Sequence, residues 1–267
     1  MKKIFRLFFI LCVISCTFLL GGCAENSKNE DKTTNGFIEN SWHNNVILAE
    51  GENLYLEYPI YITNPFEYNL GVSLKTNDDS INIESVKNVL TDENENFNKY
   101  QLSYNLQFTT NLDKQKKISN GIMNMNMNKE SYSVDLGTSI VSILQKPDKS
   151  IEVEGGTLLI DRMETNEYEI SYTLKNTTED SITIKEIKLN EDDKFKIGKI
   201  KETPIEGKSS STVKFTVTID SSIKNTRVQP KIVYENQDGK TLETNLTTFI
   251  IADPIPEENI KGKHKIF

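Results

Sequence analysis

The sequence predicts an all-β protein: two antiparallel β-sandwich domains in tandem, preceded by a signal peptide and a flexible tether. Three observations predict it. Short apolar stretches alternate with polar residues at a period of two. The clearest is Val213-Lys214-Phe215-Thr216-Val217-Thr218-Ile219, apolar at its odd positions and polar at its even ones. No long helical period with caps follows the leader, and alanine, the best helix former, occurs only at 24, 49 and 252. One pattern recurs at a spacing of 112 residues. Tyr58, Ile60, Ile62 and Asn64 are followed by Leu70 and Val72; Ile170, Tyr172, Leu174 and Asn176 are followed by Ile182 and Ile184.

The chain begins with Lys2, Lys3 and Arg6, then a mostly apolar run from Leu7 to Leu20. That run suits a signal-peptide core and is too short to span a bilayer. It ends in Leu20-Gly21-Gly22-Cys23. These residues resemble the bacterial lipobox, where small residues precede an invariant cysteine. Two glycines put no side-chain bulk before the thiol. The resemblance implies removal of residues 1–22 and a diacylglyceryl thioether (palmitate-type chains) on Cys23. Two acyl chains would hold the protein durably on the outer face of the cell membrane. Residues 23–36 are polar, without hydrophobic period, and read as the lipidated tether. Abundant Lys, Asn and Ile, with arginine only at 6, 162 and 227, point to an AT-rich genome and a Gram-positive cell.

Strand signals fill the remainder. They are Tyr58 to Ile62, Leu70 to Leu74, Leu102 to Phe108, Tyr168 to Leu174, Ile182 to Leu189, Val213 to Ile219 and Leu242 to Ile250. Asp238-Gly239 lies between two such runs as a tight hairpin turn. Ile83 to Leu90 reads as one or two helical turns. The repeat spacing matches two sandwiches of immunoglobulin size, over 37–147 and 148–253, divided at Lys146-Pro147-Asp148-Lys149. Residues 91–128 depart from the repeat as an insertion or extra hairpin, and 254–267 form a polar tail. In the second copy, Asn176-Thr177 at a strand end and the turn Gly207-Lys208-Ser209 before an alternating strand resemble bacterial Ig-like modules. That resemblance implies an Ig-like fold and leaves the function open.

With the leader gone, Cys23 is the single cysteine of the chain, so no internal disulfide or cysteine-based metal site follows. Formal charge is -8 for the whole chain. The leader carries only cations, so the remainder is more acidic still, which opposes nucleic acid as a partner. His43 and His264 lie near the tether and in the tail and read as surface histidines, with no catalytic partner in sequence. Asp78-Asp79, Asp92 with Glu93 and Glu95, and Glu191-Asp192-Asp193 read as charged turns; none has EF-hand spacing. Met123, Met125 and Met127 alternate with asparagines and read as the inward face of a strand rather than an adaptable binding strip. Trp42, Phe66 and Tyr68 suit either a contact patch or a core. No Gly-rich phosphate loop and no cofactor motif is present.

These residues predict no catalytic, metal or cofactor site, and lipidation at Cys23. The function expected is a non-enzymatic recognition or assembly module of the envelope, holding a protein or glycan. The alternative is an envelope enzyme or solute-capturing accessory whose site is assembled from scattered carboxylates.

Overall fold

A computed structural model describes residues 36–38, 42–63, 71–93, 97–109, 112, 114–127, 130–156, 159–162 and 165–253. The architecture is all-β, and no helix occurs among the described residues.

In the first half, β1 (Gly36–Ile38), β3 (Leu54–Thr63), β6 (Phe97–Phe108) and β5 (Ile81–Glu93) form one antiparallel sheet in the order β1-β3-β6-β5. Facing it are β4 (Gly71–Lys75), β8 (Ile122–Met127) and β9 (Glu130–Asp135), in the order β4-β8-β9. The second half repeats the plan. One sheet is β11 (Ile151–Gly156), β13 (Glu167–Asn176), β17 (Ser210–Ile219) and β15 (Phe195–Ile197). The other is β16 (Thr203–Ile205), β14 (Ile182–Lys188), β19 (Lys231–Asn236) and β20 (Thr241–Asn245). Labelled by immunoglobulin strand letters, both halves carry A-B-E-D opposite C-F-G, so each is an Ig-like sandwich.

Period-two patterning places the core. Val213, Phe215, Val217 and Ile219 of β17 are all buried, as are Tyr168, Ile170, Tyr172 and Leu174 opposite them on β13. The first half buries Leu56, Tyr58, Ile60 and Ile62 against Leu102, Tyr104 and Leu106. Met123 and Met125 are fully buried, as an inward strand face requires. Trp42 belongs to the same core. Met127's side chain, Phe66 and Tyr68 lie outside the described residues.

Ile83 to Leu90 is not helical. It lies in β5, which pairs with β6 from Ile81 to Glu93 and bulges between Glu84 and Lys87, with Ser85 at φ 54°. Long-range pairing outweighs a weak local helical period there. Leu242 to Ile250 is two strands rather than one, because the chain leaves the β19 ladder after Asn245 and resumes in β21 (Phe249–Ala252). Asp238-Gly239 makes the expected turn, with Gly239 at φ +75°.

A further sheet lies across the two halves. It contains β12 (Leu159–Asp161), β21, β18 (Thr226–Gln229), β2 (His43–Ala49), β10 (Thr138–Leu144) and β7 (Lys116–Ser119), in that order. These strands continue the ends of the sandwich strands. Asn120-Gly121 separates β7 from β8, Leu136-Gly137 separates β9 from β10, and Pro230 separates β18 from β19. Gly121 at φ +115° and Gly137 at φ +92° permit the bends, and Pro230 has no N–H for a ladder. A Cβ on Gly137 would fall 2.0 Å from the Trp42 carbonyl oxygen. Strands from both sides of Pro147 therefore share one hydrogen-bonded sheet, and Ile250 and Ala252 pack on the first half's core. The linker is also tied down: the Asp148 N–H donates to the Glu243 carbonyl at 2.8 Å, and the Tyr234 hydroxyl donates to the Asp148 carboxylate.

Candidate functional site

The densest concentration of buried polar groups lies where the halves meet. The joint begins with β18 beside β2 in parallel, with Val228 opposite Asn45 and Gln229 opposite Val46. An isolated bridge joins Trp42 to Asn225. The loop after β14 then lies over the sheet. The Asn45 side-chain amide donates to the Asn190 carbonyl, and its oxygen accepts the Asn190 N–H, both at 3.0 Å. The Asn190 amide donates to the Val46 and Ile140 carbonyls at 2.8 and 3.1 Å and accepts from the Ser142 hydroxyl at 2.5 Å. Gln115 brackets the Glu191 backbone in the same two-bond manner, at 2.8 and 2.7 Å.

His43 closes this clasp instead of lying on the surface. Its Nε2 is 2.7 Å from Asp192 Oδ2, its Nδ1 is 3.1 Å from Thr138 Oγ1, and its ring stacks on Phe195. The two ionisable side chains are 12% and 7% exposed. Burial pushes the Asp192 carboxyl up, but the His43 hydrogen bond and the Lys194 N–H outweigh it and hold the group below its ordinary value. A hydroxyl, an imidazole and a carboxylate in sequence invite a nucleophilic reading. Both ionisable side chains, however, are nearly buried and the ring lies against Phe195, so the pair ties the Asp192 loop to β2. It serves as a clasp.

Arg227 is the second fastening. It comes from β18 in the second half and inserts into the first. Its guanidinium donates to the Tyr55 and Glu57 carbonyls at 2.9 and 2.8 Å and lies 5.1 Å from the Trp42 ring centre. Burial pushes this guanidinium below its ordinary value, opposed by Tyr58 and Glu57. Its backbone N–H donates to Asn44, which continues through Ser139 to Asn120 in a buried relay of 2.9 and 2.5 Å bonds.

Two concavities flank the joint. One, of about 390 Å³, has a floor of Val46, Leu48 and Leu54 and is rimmed by Glu52, Glu57 and Gln229, with Arg227 in its wall. The other, of about 730 Å³, is an open groove between β14 and residues 197–202, spanned by the ion pair of Lys185 with Glu202 at 3.1 Å.

Of the residues singled out in sequence, Cys23, His264, Asn64 and Glu95 lie outside the described residues. Asn176 is fully buried and donates to the Asp180 and Ile205 carbonyls at 2.7 and 3.1 Å, tying the strand end to its turn. Asp78 is bonded to Ser80 and Lys116. Asp92 and Glu93 are exposed at the end of β5. No group of three or more metal-binding side chains occurs among the described residues. Sequence reasoning missed Asn45, Asn190 and Arg227. Arg227 alone left a signal, as an arginine in a chain that otherwise uses lysine.

No family model matches the chain, and no curated protein matches it. Among solved structures, a chimeric titin Z1Z2-Z1Z2 tandem aligns at 6% identity over 84% of this chain and all of that one, with a TM-score of 0.20. The Pseudomonas aeruginosa CupB2 chaperone aligns at 9% identity over 75% and 95%, with a TM-score of 0.22. The Vibrio cholerae VesB protease aligns at 9% identity over 82% and 99%, with a TM-score of 0.28. At such scores these likenesses carry no argument, and the fold rests on the sheet order described above.

Proposed function

We propose that this protein is a lipid-anchored, non-enzymatic module of the bacterial cell surface, presenting two Ig-like sandwiches as one rigid unit for recognition or assembly. The observation that carries the reading is Leu20-Gly21-Gly22-Cys23 behind a basic and apolar leader. The buried joint supports it, because its polar side chains are spent on fastening the halves together. Rigid presentation lowers the entropic cost of binding an envelope protein or glycan. Cys23→Ser is expected to move the protein from the membrane fraction to the medium or to leave it unprocessed, with the joint intact. A processed Cys23→Ser chain still in the membrane fraction contradicts the reading.

A second reading, solute capture, is favoured by the cleft of about 390 Å³, whose apolar floor and carboxylate rim suit a small polar ligand. Glu52→Gln and Glu57→Gln would then lower affinity for that ligand.

A further inference from the structure

We infer that the open edges of the shared sheet, β12 and β7, join copies of this chain head to tail. The inference goes beyond the anchoring proposal and does not require it. It rests on an internal symmetry of the six-stranded sheet. Each half supplies three strands in one order. From the first half these are β2, β10 and β7; from the second, β12, β21 and β18. In both, read in that order, the first pair is parallel and the second antiparallel. The registers correspond as well. Asn45 pairs with Ile140 as Leu159 pairs with Ile250. Ile118 pairs with Ser139 as Val228 pairs with Phe249.

The joint between the halves is thus a contact between two unlike edges of one repeated unit: the β18 edge of the second meets the β2 edge of the first. Such a heterologous contact uses one edge of each unit and leaves the other two without a strand neighbour among the described residues. The open ones are β12, equivalent to the covered β2, and β7, equivalent to the covering β18. They lie at opposite ends of the sheet, five strand spacings or about 24 Å apart, so they cannot meet within one molecule. Transposing the internal register sets Ile118 of one copy beside Leu159 of the next, and Ser119 beside Ile160. Leu159 is 68% exposed, the most exposed large apolar side chain described. Asn45, its counterpart on β2, is fully buried. The edges also differ in charge, with exposed Lys117 on β7 and exposed Asp161 on β12. The occupant that matches both edges at once is a second copy of this chain, and repetition gives a filament or ring.

The test uses the full chain in membranes of the producing cell. Ser119→Cys and Ile160→Cys in one chain, side by side on one sheet face in this register, treated with a short bismaleimide, should give a ladder of two, three and more copies. Each single variant, and the parent chain with its own Cys23, should give none. No ladder, or one discrete product with a different protein, overturns the inference. If the double variant misfolds, as read by a shift in Trp42 emission, the parent chain decides the matter. Its sedimentation mass in detergent should rise with concentration, and Leu159→Lys should hold it at the monomer; a concentration-independent monomer mass overturns the inference. Both measurements can be repeated on soluble Cys23→Ser chain, so the loss of the anchor and the loss of edge pairing give different results.

Discussion

Asn45 and Asn190 bind each other reciprocally, side chain to backbone, at 3.0 Å in both directions across the joint. The amide of Asn45 imitates one step of a β-ladder and so satisfies a loop that has no strand partner of its own. Asn45→Ala would leave the Asn190 N–H and carbonyl buried without partners. The expected loss is about 2–3 kcal/mol in urea denaturation, since unpaired buried polar groups cost about 1–3 kcal/mol each. Unchanged stability would show that the loop detaches without penalty.

Arg227 fastens the same joint through Tyr55, Glu57 and the Trp42 ring. Because Trp42 is the chain's single tryptophan, its emission reports the joint directly. Arg227→Ala should shift that emission to the red and lower stability by at least about 1.5–3 kcal/mol, the range for one hydrogen bond to a charged group. Arg227→Lys should not restore it, because an ammonium cannot supply the forked pair of donors. Restoration by lysine would mean that charge alone holds the halves together.

Acid should loosen the molecule. Asp192, Asp148 and Asp78 are each held below their ordinary values. For Asp192 and Asp148, burial opposes the shift, and bonds from His43 and Tyr234 overcome it; for Asp78, the Ser80 hydroxyl is the main cause. A carboxyl whose folded value is depressed stabilises the fold where it is ionised. The contribution is complete above the unfolded value, about 4, and is lost as pH falls through the folded one. Melting temperature should therefore drop steeply below about pH 4. Asp192→Asn should flatten part of that drop. An identical pH profile would mean that Asp192 has no part in the acid response.

Gly207 opens the turn Gly207-Lys208-Ser209. A Cβ there would fall 1.8 Å from the Glu179 carbonyl oxygen, a clash with backbone that cannot be relieved by turning a side chain. Gly207→Ala should cost about 3 kcal/mol in chemical denaturation, at the upper end of single substitutions. Gly155→Ala is the control, with nothing within 4 Å of its Cβ position. Equal effects at both positions would refute the steric argument.

Alternation by itself determined that this chain is built of strands, which side of β13 and β17 faces inward, and that Met123 and Met125 are core. Side-chain direction in a strand is a local property of the backbone, so it is written residue by residue. The repeat in Tyr58 to Val72 and Ile170 to Ile184 likewise carried the common plan of the two halves. Only the tertiary structure decided that β2 and β18 share a sheet, that Ile83 to Leu90 extends against β6, and that His43 meets Asp192 across 149 positions of chain. Those pairings depend on which edges remain uncovered once each sandwich has closed. No periodicity records this, because an edge is defined by its neighbour in space rather than by its neighbour in sequence.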